Sequence, residues 1–162
     1  MVSVGRVAMT DRIPGAKTTG AQRLLAGRAG TGVIEFVEGL LGFPEFRSYR
    51  IEETASGRPF KWLRAVDEDG PEFAMLDPRY FRPDYSPPLP AEDLRALRLD
   101  DPGQAEVYVL VTVPDDPAEM TANLRGPVVI NGRLGVGKQV VLLSGEFSTR
   151  CRILDEMRSR AV

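Results

Sequence analysis

Glycine and proline return at short intervals from Gly32 to Gly145, and between them no long stretch repeats apolar residues with a helical period. The intervals are filled by short runs in which apolar and polar residues alternate, the pattern of half-buried strands. "GVIEFVE" alternates, "RSYRIEE" puts Tyr49 and Ile51 on one face, and "FKWLRAVD" puts Phe60, Trp62 and Arg64 on one face with Lys61, Leu63 and Ala65 on the other. "EFAMLD" adds a further strand after the tight turn "EDG". "AEVYVLVTVP", dense in valine, is the strongest strand and is expected at the centre of the sheet. "EMTANLRGPVVIN" and "KQVVLLS" are expected to complete it. "GLLGFPEF" and "ASGRP" read as turns, and the prolines of "PRYFRPDYSPPLP" fix an extended path that cannot donate to a sheet ladder. "AEDLRALRL" is a helix, with acids in its first turn, arginines in its last, and Leu94, Leu97 and Leu99 to dock it; "CRILDEMRSRAV" reads as a short terminal helix. Many short strands with one or two helices indicate a mainly β domain, a barrel or a sandwich.

One stretch argues at first for something else. "GRLGVGK", residues 132–138, has the G-x-x-x-x-G-K spacing of a phosphate-binding loop. That loop needs a hydroxyl after its lysine to hold Mg²⁺ and a helix whose N-terminus faces the anion. Here Gln139 follows Lys138, and the next residues are β-branched and apolar. With "PVVIN" before it, the stretch reads as a β-hairpin.

At 162 residues the chain is one domain by length, with no apolar run long enough to span a membrane and no secretory leader, so it is expected in the cytoplasm. Cys151 is its only cysteine, which fits a reducing compartment. The chain has no histidine, which removes Ser-His-Asp and Cys-His catalysis, histidine zinc sites and a histidine base. The formal net charge is −2, unevenly spread. Residues 1–30 carry Arg6, Arg12, Lys17, Arg23 and Arg28 against Asp11 and lack regular periodicity, apart from a helical attempt at "AQRLLAGR". They are expected to be a flexible basic tail on a domain of residues 31–162. From Asp67 to Glu119 acids dominate, which disfavours a phosphate backbone and suits a basic protein partner.

Three acidic groups, Asp67–Glu68–Asp69, Asp100–Asp101 and Asp115–Asp116, have the composition of a carboxylate enzyme or a metal site. All three lie in turns, where aspartate bonds to its own backbone. Tyr80, Phe81 and Tyr85 with Arg79 and Arg82 have the composition of a single-strand nucleic-acid platform, or else pack one end of the domain. Thr121, Asn123, Asn131, Lys138 and Gln139 form a polar run that either braces turns or lines a recognition surface.

Several of these segments, in order, resemble the flagellar assembly factor family, FliW. "FVEGLLGFPEF" at 36–46 resembles the family's opening strand and glycine turn. "PFKWLRAVDEDGPEFAMLDPRYFRPDY" at 59–85 resembles its aromatic strand, acidic turn, apolar strand, Asp77–Pro78 and Pro83–Asp84–Tyr85. "MTANLRGPVVIN" at 120–131 and "GKQVVL" at 137–142 resemble its most specific signatures. The basic tail is outside the family pattern, and Ser148 stands where the family's C-terminal motif has proline. The resemblance implies a small β-barrel-like domain of short antiparallel strands, without enzymatic activity. It implies binding to the basic RNA-binding regulator CsrA and to flagellin, which relieves CsrA repression of flagellin mRNA translation. The partner-binding residues expected on this reading are Asn123 and Asn131, then Asp84 and Tyr85, with Lys138 and Gln139 beside them. No cofactor, no metal, no membrane and no direct nucleic-acid contact are expected, and the chain is expected to be monomeric. The alternatives are a single-stranded nucleic-acid-binding barrel and a carboxylate-dependent enzyme.

Overall fold

A computed structural model describes residues 32–54 and 59–161. The expectations for the tail, residues 1–30, and for the turn at "ASGRP" lie outside the described residues.

Nine strands are described: β1 (Val33–Phe36), β2 (Ser48–Glu53), β3 (Phe60–Ala65), β4 (Glu72–Leu76), β5 (Glu106–Thr112), β6 (Thr121–Ala122), β7 (Val128–Asn131), β8 (Val136–Gln139) and β9 (Cys151–Arg152). They form one sheet in the order β4-β3-β2-β1-β8-β7-β5-β6-β9, and a further β4–β5 pairing closes the seven strands from β4 to β5 into a barrel. Closure removes the free edges that an open sheet would expose. β6 and β9 continue the sheet beyond the ring. The pairings are antiparallel except β1–β8, where Glu35 faces Val136 and Phe36 faces Gly137 in parallel register. The valine-rich strand β5 is central as expected, pairing with β4, β6 and β7.

Register explains the core. Ile34 pairs with Tyr49, Ile51 with Leu63, Leu63 with Phe73, and Tyr108 with Val128, so these side chains share the inner face with Phe36, Met75 and Ile130. Phe36 and Tyr49 meet edge to face at 5.2 Å. Gly137, the glycine of the phosphate-loop near-miss, lies on this face too. A Cβ there would press to 3.0 Å against Ile34 and the Phe36 ring, so the glycine serves packing.

The alternation in β3 holds, but both of its faces are covered. Leu63 points inward and Trp62 outward, and both are buried. Trp62 shares its outer row with Ala74, Val111, Ala122 and Cys151, which follow one another in register and belong to one core cluster with Phe81 and Ile153. A second cluster covers the outside of β7 and β8. It joins Val129, Val140 and Leu142 to Leu97 and Leu99, which follow helix α1 (Ala91–Ala96).

Three details differ from the sequence expectations. The ladder strand expected across 138–144 ends at Gln139, although the Val140 and Leu142 amides still donate to the Pro127 and Arg125 carbonyls. Helix α1 stops at Ala96 and not at Leu99. Arg98 takes a left-handed φ of 57°, and the Leu99 amide turns back to the Leu94 carbonyl at 2.9 Å, a Schellman closure without its usual glycine. The domain is also not purely antiparallel, because of β1–β8. The terminal helix α2 (Ile153–Arg160) forms as expected. Among the described residues no helix is long and apolar enough to cross a membrane.

Candidate functional site

A groove of about 560 Å³ lies at the end of the barrel where β1 and β8 both leave the sheet. Three short segments wall it: Glu38 to Leu41 after β1, Pro88 to Asp93 before and within α1, and Lys138 to Ser144 at and after β8.

The first wall is the "GLLG" turn. Leu40 and Phe43 bridge each other and are buried, while Leu41 between them is 62% exposed. Gly39 permits this turn, since a Cβ there would collide with the Phe43 carbonyl and the Pro44 backbone. The third wall is "VVLLS", which stays extended past β8. Val140 and Leu142 turn into the cluster under α1, so Val141 and Leu143 must turn out; Leu143 is 89% exposed. The second wall is "PLPAED", its prolines holding an extended approach to the helix.

The polar residues of the signature brace these walls. Gln139 is buried; its Oε1 accepts from the Leu41 amide at 2.9 Å and its Nε2 donates to the Gly126 carbonyl at 3.0 Å. Asn123 Oδ1 accepts from the Arg125 and Gly126 amides, and Arg125 Nε then donates to the Leu142 carbonyl at 3.2 Å. Asn131 is buried: its Nδ2 donates to the Leu97 and Arg98 carbonyls, and its Oδ1 accepts from the Arg133 and Leu134 amides. It therefore ties the β7–β8 hairpin to the end of α1. Lys138 is held between Glu38 at 3.3 Å and Asp93 at 3.5 Å. With Glu92 also on the wall, three carboxylates face one ammonium, so the groove is apolar at its rim and negative beside it.

Of the six residues expected to bind a partner, the structure brings Lys138 and Gln139 to the groove wall and sets Asn123 and Asn131 behind it. Asp84 and Tyr85 lie elsewhere. Asp84 is exposed and pairs with Arg160 at 3.1 Å. The Tyr85 hydroxyl is buried and donates to the Leu124 carbonyl at 2.6 Å, its ring edge-to-face on Phe147, and burial pushes its phenol up from the ordinary value. The sequence reading missed Leu41, Val141, Leu143 and Glu92. The signal was present in "GLLG" and "VVLLS": adjacent apolar residues in an extended chain cannot all face one side.

The other candidate chemistries find ordinary structural uses. Asp67, Asp101 and Asp116 each accept from a backbone amide two residues on, and the latter two cap short 3-10 turns. Phe81 and Tyr85 are buried in the core cluster; Tyr80 alone of the three aromatics is exposed. Arg79 pairs with Asp77 and holds that carboxyl below its usual range. Burial pushes the Cys151 thiol up, which disfavours the thiolate that a nucleophile needs. Lys138 lies within strand β8, and the residues directly after it run on beside Pro127 and Arg125 instead of opening a helix.

Known proteins resemble the chain along most of its length. The sequence model described as "FliW protein" matches residues 26–153. A flagellar assembly factor FliW of Thermoanaerobacter pseudethanolicus is 37% identical over 128 residues, covering 78% of this chain and 85% of that protein. One of Ruminiclostridium cellulolyticum is 38% identical over 131 residues, covering 80% of this chain and 88% of that one. The crystal structure of a flagellar assembly factor FliW superposes with a TM-score of 0.70 at 30% identity, over 75% of this chain and 85% of that chain.

Proposed function

The chain belongs to the FliW family of flagellar assembly factors, and from that premise we propose that it is a non-enzymatic binder of CsrA and flagellin. In this reading it acts in the cytoplasm as a monomer, without a cofactor. It captures CsrA, releases flagellin mRNA from repression, and is itself drawn away by flagellin.

The observation that carries the reading is the groove. Leu41, Val141 and Leu143 present apolar surface to solvent beside Glu38, Glu92 and Asp93. A protein that holds RNA phosphates is basic, and a basic partner meets complementary charge here together with apolar anchors. The charge governs the rate of encounter and weakens with salt, and the apolar contacts govern the lifetime of the complex. The six residues named from sequence divide in this proposal: Lys138 sits between the groove carboxylates, Asn123, Asn131 and Gln139 brace the loops around it, and Asp84 and Tyr85 lie away from it.

Calorimetric titration of the intact chain with the CsrA of the same cell tests this. Leu143 touches little of its own protein, so Leu143→Asp should leave the melting temperature unchanged and weaken CsrA binding about tenfold or more. Should the unaltered chain bind neither CsrA nor flagellin at tens of micromolar, the assignment fails.

A further inference from the structure

Residues 1–25 precede the match to the family model, and the basic segment of residues 1–30 is not used by the reading above. Its charge is opposite to that of the groove: Arg6, Arg12, Lys17, Arg23 and Arg28 against Asp11, facing Glu38, Glu92 and Asp93 against Lys138. It also carries what the rim lacks, an apolar pair with flanking cations, Leu24 and Leu25 between Arg23 and Arg28. Leu41, Val141 and Leu143 are the apolar surface such a pair would cover.

We propose that residues 1–30 of this chain occupy the groove in cis, as a basic pseudo-ligand that a partner must displace. The tether reaches. The segment joins the barrel at Gly32, ahead of β1, and the groove opens where β1 ends, so the separation along the strand is about 13 Å. A linker of thirty residues has an end-to-end distance of roughly 30 Å, more than this span. Such a tether holds the segment at an effective concentration near the millimolar range, so a weak site is still mostly filled. Apparent affinity for any partner of the groove then falls by the fraction of molecules whose groove is free. Salt acts twice, loosening the cis segment and the partner together. That the displaced competitor is CsrA or flagellin rests on the reading above; the cis occupancy does not.

The test uses the full chain with a photo-crosslinking benzoylphenylalanine in place of Leu24, irradiated at several protein concentrations and mapped by mass spectrometry. The expected crosslinks fall on residues 38–41 or 141–144, within one molecule and independent of concentration. They should drop severalfold in Glu38→Lys combined with Glu92→Lys, whose side chains are exposed, and at about 0.5 M salt, where screening acts over only ~4 Å. Crosslinks scattered over the barrel, formed only between molecules, or unchanged by the charge reversal would overturn the proposal. Adding CsrA separates the two readings. A groove crosslink that CsrA fails to suppress keeps the cis occupancy and sinks the partner site; CsrA bound at the groove with no crosslink in its absence does the reverse.

Discussion

Asn131 shows at the scale of one residue what the signature is for. All four of its side-chain hydrogen bonds run to the backbone of this chain, two to the end of α1 and two within the hairpin turn. Asn131→Ala leaves those buried groups unpaired and should lower the unfolding free energy by about 2–3 kcal/mol, read from a denaturant titration. Loss of CsrA affinity with unchanged stability would instead make Asn131 a contact residue. From sequence the two roles were indistinguishable, because an asparagine at a strand end has the same spacing in both. Arg98 was invisible for a different reason. Its left-handed φ of 57° belongs to glycine by preference, and nothing in "RALRLD" marks the position. Arg98→Gly relieves the strain while keeping the carbonyl that Asn131 holds, at some cost in unfolded-chain entropy. A net gain of about 0.5–1 kcal/mol is expected, seen as a higher melting temperature.

Among the elements, helix α2 is held by charge. Glu156 accepts from Arg82 at 3.0 Å and from Arg160 at 3.4 Å, and Arg160 reaches Asp84. The Arg82 guanidinium is the main cause that holds the Glu156 carboxyl below its ordinary range. A carboxyl with a depressed folded pKa stabilises the native state fully above its unfolded value, and that contribution is lost as pH falls through the folded one. Protection of the Ile153–Arg160 amides, corrected for the intrinsic exchange rate, should therefore fall below about pH 4 before the barrel strands lose protection. Equal protection of α2 and β5 down to acid unfolding would show that Ile153 and its apolar neighbours hold the helix unaided. The strands were legible because alternation is a local signal: Tyr49 and Ile51 inward in β2, Leu63 and Trp62 opposed in β3. Pairing was not. The parallel match of Phe36 to Gly137 and the closure of Ala74 on Val111 join residues far apart in the chain, and no pattern within either strand names its partner.

For the whole molecule, the barrel is a frame that gathers three distant loops at one end. The hairpin glycine packs on Phe36, Gln139 links the first loop to the turn at Gly126, and Arg125 grips the chain near Leu143. The signature at 120–142 helps to build this end. Asn123 and Asn131, read from that signature, lie behind the groove, which is assembled from residues 38–41, 88–93 and 138–144 and exists only once the sheet has closed. In the proposed function CsrA is bound at this groove, and hydrogen exchange of the intact chain with and without CsrA distinguishes that from binding elsewhere on the barrel. Exchange is expected to slow at 38–41, 88–93 and 140–144, with little change around Arg50, Glu52, Arg64 and Glu72 on the outer face of the barrel. Protection confined to that outer face, with the three loops exchanging as they do in the free protein, would contradict it.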